Sequence, residues 1–200
     1  MKKIDSYLNS ALKDTVSASQ HSLQKNKTSE AEVQTILTHY NPDYIVKNCR
    51  GLTQAEITNL CLFSPSPTLS DLNATYGKNV PIAWIMAQLF SLSEFCGAKE
   101  KMSEDKAEQT AFIIASSHYY LKVTELILFF HQMKAGHYGQ FYGVIDPQVI
   151  IRAINTFIMQ DRNPAIDREE SRLRLIQREE ERKNAVTYEK FLQLKKDNKL

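Results

Sequence analysis

The most distinctive stretch of the chain lies between Lys134 and Gly143, where three of the six glycines alternate with three aromatic residues and a histidine. Glycines permit unusual backbone angles, and aromatic faces beside a lysine can stack on unpaired nucleic-acid bases. A phosphate cradle is not expected, because no Gly-Lys-Ser/Thr motif follows and the next helix begins with the anion Asp146. The candidate binding residues of this Gly-aromatic loop are Lys134, His137, Tyr138, Gln140 and Tyr142.

The loop also has a purely structural interpretation, in which its aromatic residues fill the space between two helices and make no outside contact. The spacing of Phe141 from Ile145 favours inward packing, whereas the glycine and histidine beside Tyr138 favour exposure of that ring. Both interpretations stay open at this point, and catalysis in the loop is not expected.

A second set of polar residues, His118, Lys122 and Glu125, lies at i, i+4 and i+7 of a predicted helix, with Gln132 two turns further on. Such a stripe can place a general base beside a carboxylate, which would make the protein a small enzyme. The alternative is a polar seam in which Lys122 pairs with Glu125 and His118 bonds to a neighbouring helix. No further histidine or acid stands at ligand spacing, so we expect neither a metal site nor a cofactor.

Other signs of chemistry are weak. Arg152 and the pair Asp161–Arg162 can bind phosphate, but arginines at helix ends are usually engaged in surface ion pairs. No G-x-S-x-G motif occurs, and no cysteine lies in an electropositive glycine turn. We therefore predict that the protein is not an enzyme, and we add Arg152 to the candidate binding residues.

The scarcity of glycine and proline predicts an all-α fold. Neither residue occurs from Ser103 to Ala135, so this span is predicted to form one long central helix. Helices at Pro81–Cys96 and Pro147–Arg162 should pack around it as a bundle, with Trp84 buried against it.

The chain is predicted to divide into three parts. A small N-terminal helical lobe covers residues 1–63, is flexible near residues 15–28, and includes a helix that begins with the capping box of Thr53 and Glu56. The main bundle covers residues 64–163 and ends at Asn163–Pro164. A charged helical arm rich in Glu and Arg, including the i,i+4 pair Glu170 and Arg174, covers residues 164–200.

Composition limits the classes of function. The 25 Lys and Arg against 23 Asp and Glu leave a net charge of +2, so any nucleic-acid binding must come from a local patch. Three cysteines without a C-x-x-C pair indicate neither a disulfide framework nor a zinc site. Because no apolar leader or membrane-spanning segment is recognisable, we expect a cytoplasmic protein that does not enter a membrane.

Three segments resemble an uncharacterised family of helical proteins, a domain of unknown function found on phages and mobile elements of anaerobic gut bacteria. The segments are Gly77–Leu89, Tyr119–Phe130 and, most distinctively, Lys134–Pro147. The resemblance implies a genomic context and no catalytic residue. By analogy with small helical accessory proteins of such elements, it implies a non-enzymatic adaptor of DNA replication or maintenance, similar to a helicase loader. Its partner would be a protein such as a replicative helicase, and direct binding of single-stranded nucleic acid through the Gly-aromatic loop is the alternative.

Overall fold

The computed structural model describes residues 30–97, 101–139, 141, 144–184, 192–193 and 195. The segment predicted to be flexible, residues 15–28, lies outside the described residues, as do Gln140 and Tyr142. Apart from one isolated bridge between Thr68 and Lys122, the described residues form helices and their connections, which confirms the all-α prediction.

The helices are named here in chain order. They are α1 (Glu30–His39), α2 (Tyr44–Asn48), α3 (Gln54–Phe63), α4 (Leu69–Tyr76), α5 (Asn79–Phe95), α6 (Glu104–Ser117), α7 (Val123–Lys134), α8 (Pro147–Thr156), a π-helix (Phe157–Arg162) and α9 (Asn163–Asn184). The chain divides into two compact units, of which the first ends at Phe157 and the second begins at Ile158.

Helices α5 and α7 form the centre of the first unit. Trp84 and Leu89 of α5 and Leu126 and Phe129 of α7 are all at most 1% exposed. The predicted burial of Trp84 is confirmed, and its ring is held by a hydrogen bond of 2.8 Å from the indole N–H to the backbone carbonyl of Tyr40. A helix that is apolar on most faces has to be surrounded by others, as α5 is by α4, α6 and α7.

The predicted long central helix is wrong, because the span is broken into α6 and α7 by the turn at residues 118–122. The segment that contains Pro67 and Ser70 runs alongside this turn and satisfies its backbone groups. Val123 N–H donates to the Pro67 carbonyl at 2.9 Å, and Ser70 N–H donates to the Tyr119 carbonyl at 2.9 Å. These bonds replace the i to i−4 bonds that a continuous helix would have made.

Several predicted helix starts are confirmed by their caps. The Thr53 hydroxyl accepts from the Glu56 N–H while the Glu56 carboxylate accepts from the Thr53 N–H, which is a capping box. Ser103 caps α6 through the Lys106 N–H, and Asp146 caps α8 through the Gln148 N–H.

Helix α4 was not predicted from the sequence. It begins with a second capping box, formed by Thr68 and Asp71, and it ends at Gly77, whose φ is 97°. It carries Leu69 and Leu72 into the core of the first unit, where both are at most 1% exposed.

The second unit contains most of the π-helix and all of α9. The helix end predicted at Asn163–Pro164 is wrong, since the π-helix leads directly into α9. Pro164 has no N–H to donate, and its ring crowds the carbonyl four residues earlier. The π-helix just before it widens the backbone at this point, so the helix continues without that hydrogen bond. On α9, Glu170 and Arg174 form the expected ion pair at 3.1 Å, and Glu169 and Arg172 form another at 2.6 Å.

Candidate functional site

The Gly-aromatic loop begins as a glycine-dependent end to helix α7. Gly136 has a φ of 79°, its N–H donates to the Met133 carbonyl, and the N–H of His137 donates to the Gln132 carbonyl, both at 3.0 Å. A left-handed residue after the last helical turn satisfies carbonyls that would otherwise lack partners. Gly136 therefore has a structural role in ending α7.

The side chain of Tyr138 is attached to the body of the first unit. Its hydroxyl donates to the Gln132 amide oxygen at 2.7 Å, and its ring centroid lies 5.8 Å from that of Phe129. Tyr138 is half-buried, whereas its neighbour His137 is exposed. Phe141 is also half-buried. Of the loop residues proposed to bind a partner, His137 has the most accessible side chain among those described.

Lys134, the first residue of the predicted loop, belongs to a separate feature that we call the Lys134 cleft. This cleft encloses about 280 Å³ between the α1–α2 connection with the start of α2, the second half of α5 and most of α7. Its wall includes the polar residues Asp43, Gln88, His131 and Lys134 and the apolar residues Val46 and Phe95. Of these residues, the sequence pointed only to Lys134. His131 lies one turn earlier on α7, whereas Asp43, Val46, Gln88 and Phe95 come from distant parts of the chain.

The ammonium group of Lys134 is held in place from one side. It donates to the Ser91 hydroxyl at 2.9 Å and lies 5.9 Å from the centroid of the Phe95 ring. Among the described residues, no carboxylate lies within 4.0 Å of it. The carboxylate that lines the cleft, Asp43, instead pairs with Lys47 at 3.8 Å.

The cleft lowers the proton affinity of its basic groups. Burial lowers the pKa of Lys134, and the more distant charge of Asp43 acts in the opposite direction and raises it. Burial also lowers the pKa of His131, with a smaller contribution from the positive charge of Lys134. A charge that has lost part of its hydration is stabilised by an opposite charge placed beside it. The site is therefore electrostatically suited to an anionic group.

Two large apolar side chains at the cleft are open to solvent. Phe95 is 65% exposed and Val46 is 57% exposed. Phe95 lies in the last turn of α5, and this position places its ring beside Lys134.

A second concave surface, the Phe112 groove, lies between α4, the start of α5 and the end of α6. It also encloses about 280 Å³, and its wall includes Asn73, Lys78, Phe112, Ser116 and Tyr119. Phe112 is 59% exposed and Tyr119 is 58% exposed. The groove thus presents two aromatic faces, one cation and several hydrogen-bonding side chains.

The predicted stripe of His118, Lys122 and Glu125 is a buried seam at the turn between α6 and α7. The Glu125 carboxylate accepts from the Lys122 backbone N–H at 3.0 Å, and the Lys122 ammonium donates to the carbonyls of Leu62 and Ser64 at the end of α3. His118 is 9% exposed and Glu125 is 0% exposed. Burial lowers the pKa of His118, whose Nδ1 has no hydrogen-bond partner in the described structure.

Arg152 is exposed on α8, and its Nε donates to the Gln148 carbonyl of the same helix at 3.4 Å. Within the described ranges, no group of three or more His, Cys, Asp or Glu side chains is arranged to hold a metal ion. None of the described helices is long and apolar enough to cross a membrane.

Residues 101–199 match a family model that is described as a family of unknown function (DUF6633). The match supports the predicted resemblance to an uncharacterised family for Tyr119–Phe130 and Lys134–Pro147, while Gly77–Leu89 lies outside it. Lys134 and His131 of the cleft fall within the matched region, whereas Val46 and Phe95 do not. No curated protein and no solved structure matches the chain.

Proposed function

We propose that this protein is a non-enzymatic adaptor that binds a partner protein through the Lys134 cleft. The observation that carries the proposal is the exposure of Phe95 and Val46 around a half-buried lysine. Large apolar side chains that remain in water beside a concavity are typical of protein-binding surfaces, where they become buried on association.

The positions of His118, Lys122 and Glu125, the polar residues that suggested an enzyme, favour an adaptor instead. A general base has to reach its substrate directly or through one water molecule. His118 and Glu125 are buried in the seam between α6 and α7, and Lys122 is engaged with the end of α3. These groups hold the turn together and are not proposed to act on a substrate.

Within the class of adaptors, we propose a cytoplasmic accessory of DNA replication or maintenance on a phage or mobile element, acting as a helicase loader does. This part of the proposal is supported by the resemblance of Tyr119–Phe130 and Lys134–Pro147 to a family from such elements. The corresponding partner is a replicative helicase.

The proposal is tested by capturing partners from the native host with the wild-type chain and with Phe95→Ser. The matched control is Phe63→Ser, which removes another exposed phenylalanine, 41% accessible, that lines neither concave surface. We expect a partner that is captured by the wild type and by Phe63→Ser but is lost with Phe95→Ser. Equal capture by all three proteins would contradict a partner site at the cleft, and a captured set without a replication protein would contradict the helicase-loader role.

A second candidate function is direct binding of single-stranded nucleic acid, and the Phe112 groove is the observation that favours it. Exposed aromatic faces near a cation are the arrangement on which unpaired bases stack. The relevant residues are Phe112, Tyr119 and Lys78 and not the half-buried Tyr138.

This second function is tested by the fluorescence anisotropy of a dye-labelled oligonucleotide, since the single tryptophan, Trp84, is buried and would report poorly. Stacking on one aromatic side chain contributes about 1–3 kcal/mol. Tyr119→Ala should therefore weaken binding by at least about fivefold, and the affinity should fall as salt is added. Binding that is unchanged in Tyr119→Ala would exclude the groove as the nucleic-acid site.

A further inference from the structure

We propose that the Lys134 cleft recognises an acidic peptide segment, in which one Asp or Glu of the partner protein lies next to an aliphatic or aromatic residue. The carboxylate would pair with the Lys134 ammonium, and the neighbouring apolar side chain would pack on Phe95 and Val46. This inference rests on the proposed function and specifies the chemistry of the partner.

The charge of the occupant follows from the surroundings of Lys134. The ammonium group is half-buried, and the hydroxyl of Ser91 is its hydrogen-bond acceptor. A cation that has lost part of its hydration is stabilised by a carboxylate beside it, yet within the described part of the chain no carboxylate is within ion-pair distance of this one. Asp43 is engaged with Lys47. A ligand carboxylate would complete the arrangement.

The apolar part of the occupant follows from the walls. Phe95, Val46, Ile127 and Phe130 line the cleft, and the first two are largely in contact with water. A carboxylate alone would leave these surfaces solvated. A peptide that carries an apolar side chain beside its acid buries them while it pairs with the lysine.

The size and charge of the cleft argue against other anionic ligands. Its volume of about 280 Å³ lies just below the range of about 300–1,000 Å³ in which drug-sized ligands bind, so it suits one or two side chains. A phosphorylated residue carries a charge of about −1.5 to −2. Lys134 together with the Asp43–Lys47 ion pair carries a net charge of +1, which a single carboxylate balances.

The test begins with a random-peptide phage library panned on the full-length protein. We expect the enriched peptides to share an Asp or Glu beside Leu, Ile, Met or Phe. Synthetic versions of one enriched peptide, with Glu and with Gln at the acidic position, are then titrated against wild type, Lys134→Met and Lys134→Arg. Lys134→Met keeps an apolar chain without the charge, and Lys134→Arg keeps the charge. Thermal unfolding of each variant establishes that it is folded.

A charge-assisted hydrogen bond predicts that the Gln peptide binds wild type about tenfold more weakly than the Glu peptide. Lys134→Met should bind both peptides equally, and Lys134→Arg should restore part of the preference. Enrichment of peptides without an acid, no enrichment at all, or an undiminished Glu preference in Lys134→Met would overturn the proposal. Displacement of the peptide by millimolar inorganic phosphate would also overturn the proposal. So would the finding that a second copy of this chain, and no peptide, occupies the cleft.

The failure of this inference can be distinguished from the failure of the proposed function. If Phe95→Ser abolishes capture of the partner while Lys134→Met leaves it unchanged, the cleft is a protein-binding site that recognises apolar groups alone. If neither variant affects capture, the partner site lies elsewhere on the protein.

Discussion

The indole N–H of Trp84 donates a hydrogen bond to the backbone carbonyl of Tyr40, a residue 44 positions earlier in the chain. Tyr40 directly follows α1, and Trp84 lies within α5. This bond therefore joins the first described helix to the centre of the first unit. This arrangement buries the ring and at the same time gives its N–H a hydrogen-bond acceptor.

Replacing Trp84 by Ala should lower the free energy of unfolding by about 3–5 kcal/mol, because it leaves a large cavity and removes the bond to Tyr40. Trp84→Phe should cost less, since part of the ring remains. Urea unfolding followed by circular dichroism measures both. Phe112→Ala, at an exposed position, is the control and should cost less than about 1 kcal/mol. A small effect of Trp84→Ala would mean that α1 and α5 are not held together by this ring.

Replacing Lys122 by Met should destabilise the protein by about 1–3 kcal/mol, because the carbonyls of Leu62 and Ser64 lose a charged donor at the end of α3. The exposed Lys106 provides a matched control, and Lys106→Met should change stability by less than about 0.5 kcal/mol. Equal effects of the two substitutions in urea unfolding would show that Lys122 contributes no more than a surface lysine.

Replacing Tyr138 by Phe should cost about 0.5–1.5 kcal/mol, because the buried Gln132 amide oxygen loses its donor. Tyr138→Ala should lower the melting temperature further and leave partner binding unchanged. His137→Ala, at the exposed neighbouring position, should leave the melting temperature unchanged. If instead Tyr138→Ala weakened partner binding and spared the melting temperature, the Gly-aromatic loop would be a contact surface.

The pKa of His118 lies below its ordinary value of 6.5 because burial disfavours the charged imidazolium. As the pH falls through 6.5, the unfolded chain binds a proton that the native protein does not, so stability decreases. Urea unfolding from about pH 7.5 to about pH 5 should therefore show falling stability, with a shallower slope in His118→Asn. His131, whose pKa is also lowered by burial, should contribute in the same direction, and the double variant should be flattest. A slope that neither substitution changes would contradict this origin.

Local sequence signals predicted the helix starts well, because a cap depends on residues within one turn of each other. Thr53 with Glu56, Ser103 and Asp146 all act as expected. The start of α4 carries the same kind of signal, since Thr68 and Asp71 have capping-box spacing with Asp in place of Glu. This spacing is a local signal for a helix that starts at Leu69.

The break between α6 and α7 illustrates what local signals leave open. The residues from His118 to Lys122 include neither proline nor glycine, so nothing within the span predicts an interruption. The interruption is stabilised by backbone hydrogen bonds to Pro67 and Ser70, about 50 residues away in sequence. Only the tertiary fold brings these partners together.

The sequence by itself determined the all-α class, the starts of α3, α6 and α8 and the burial of Trp84, because these depend on caps and apolar content that are local in the chain. The tertiary structure alone decided the candidate site. Lys134 was recognisable as a lysine beside an unusual loop, but the cleft exists because α5 and α7 converge there with α2 and the connection that precedes it. The same convergence leaves Phe95 in water and Lys134 without a carboxylate within ion-pair distance among the described residues. No local pattern encodes either property, since both depend on which distant side chains are absent from the space around them.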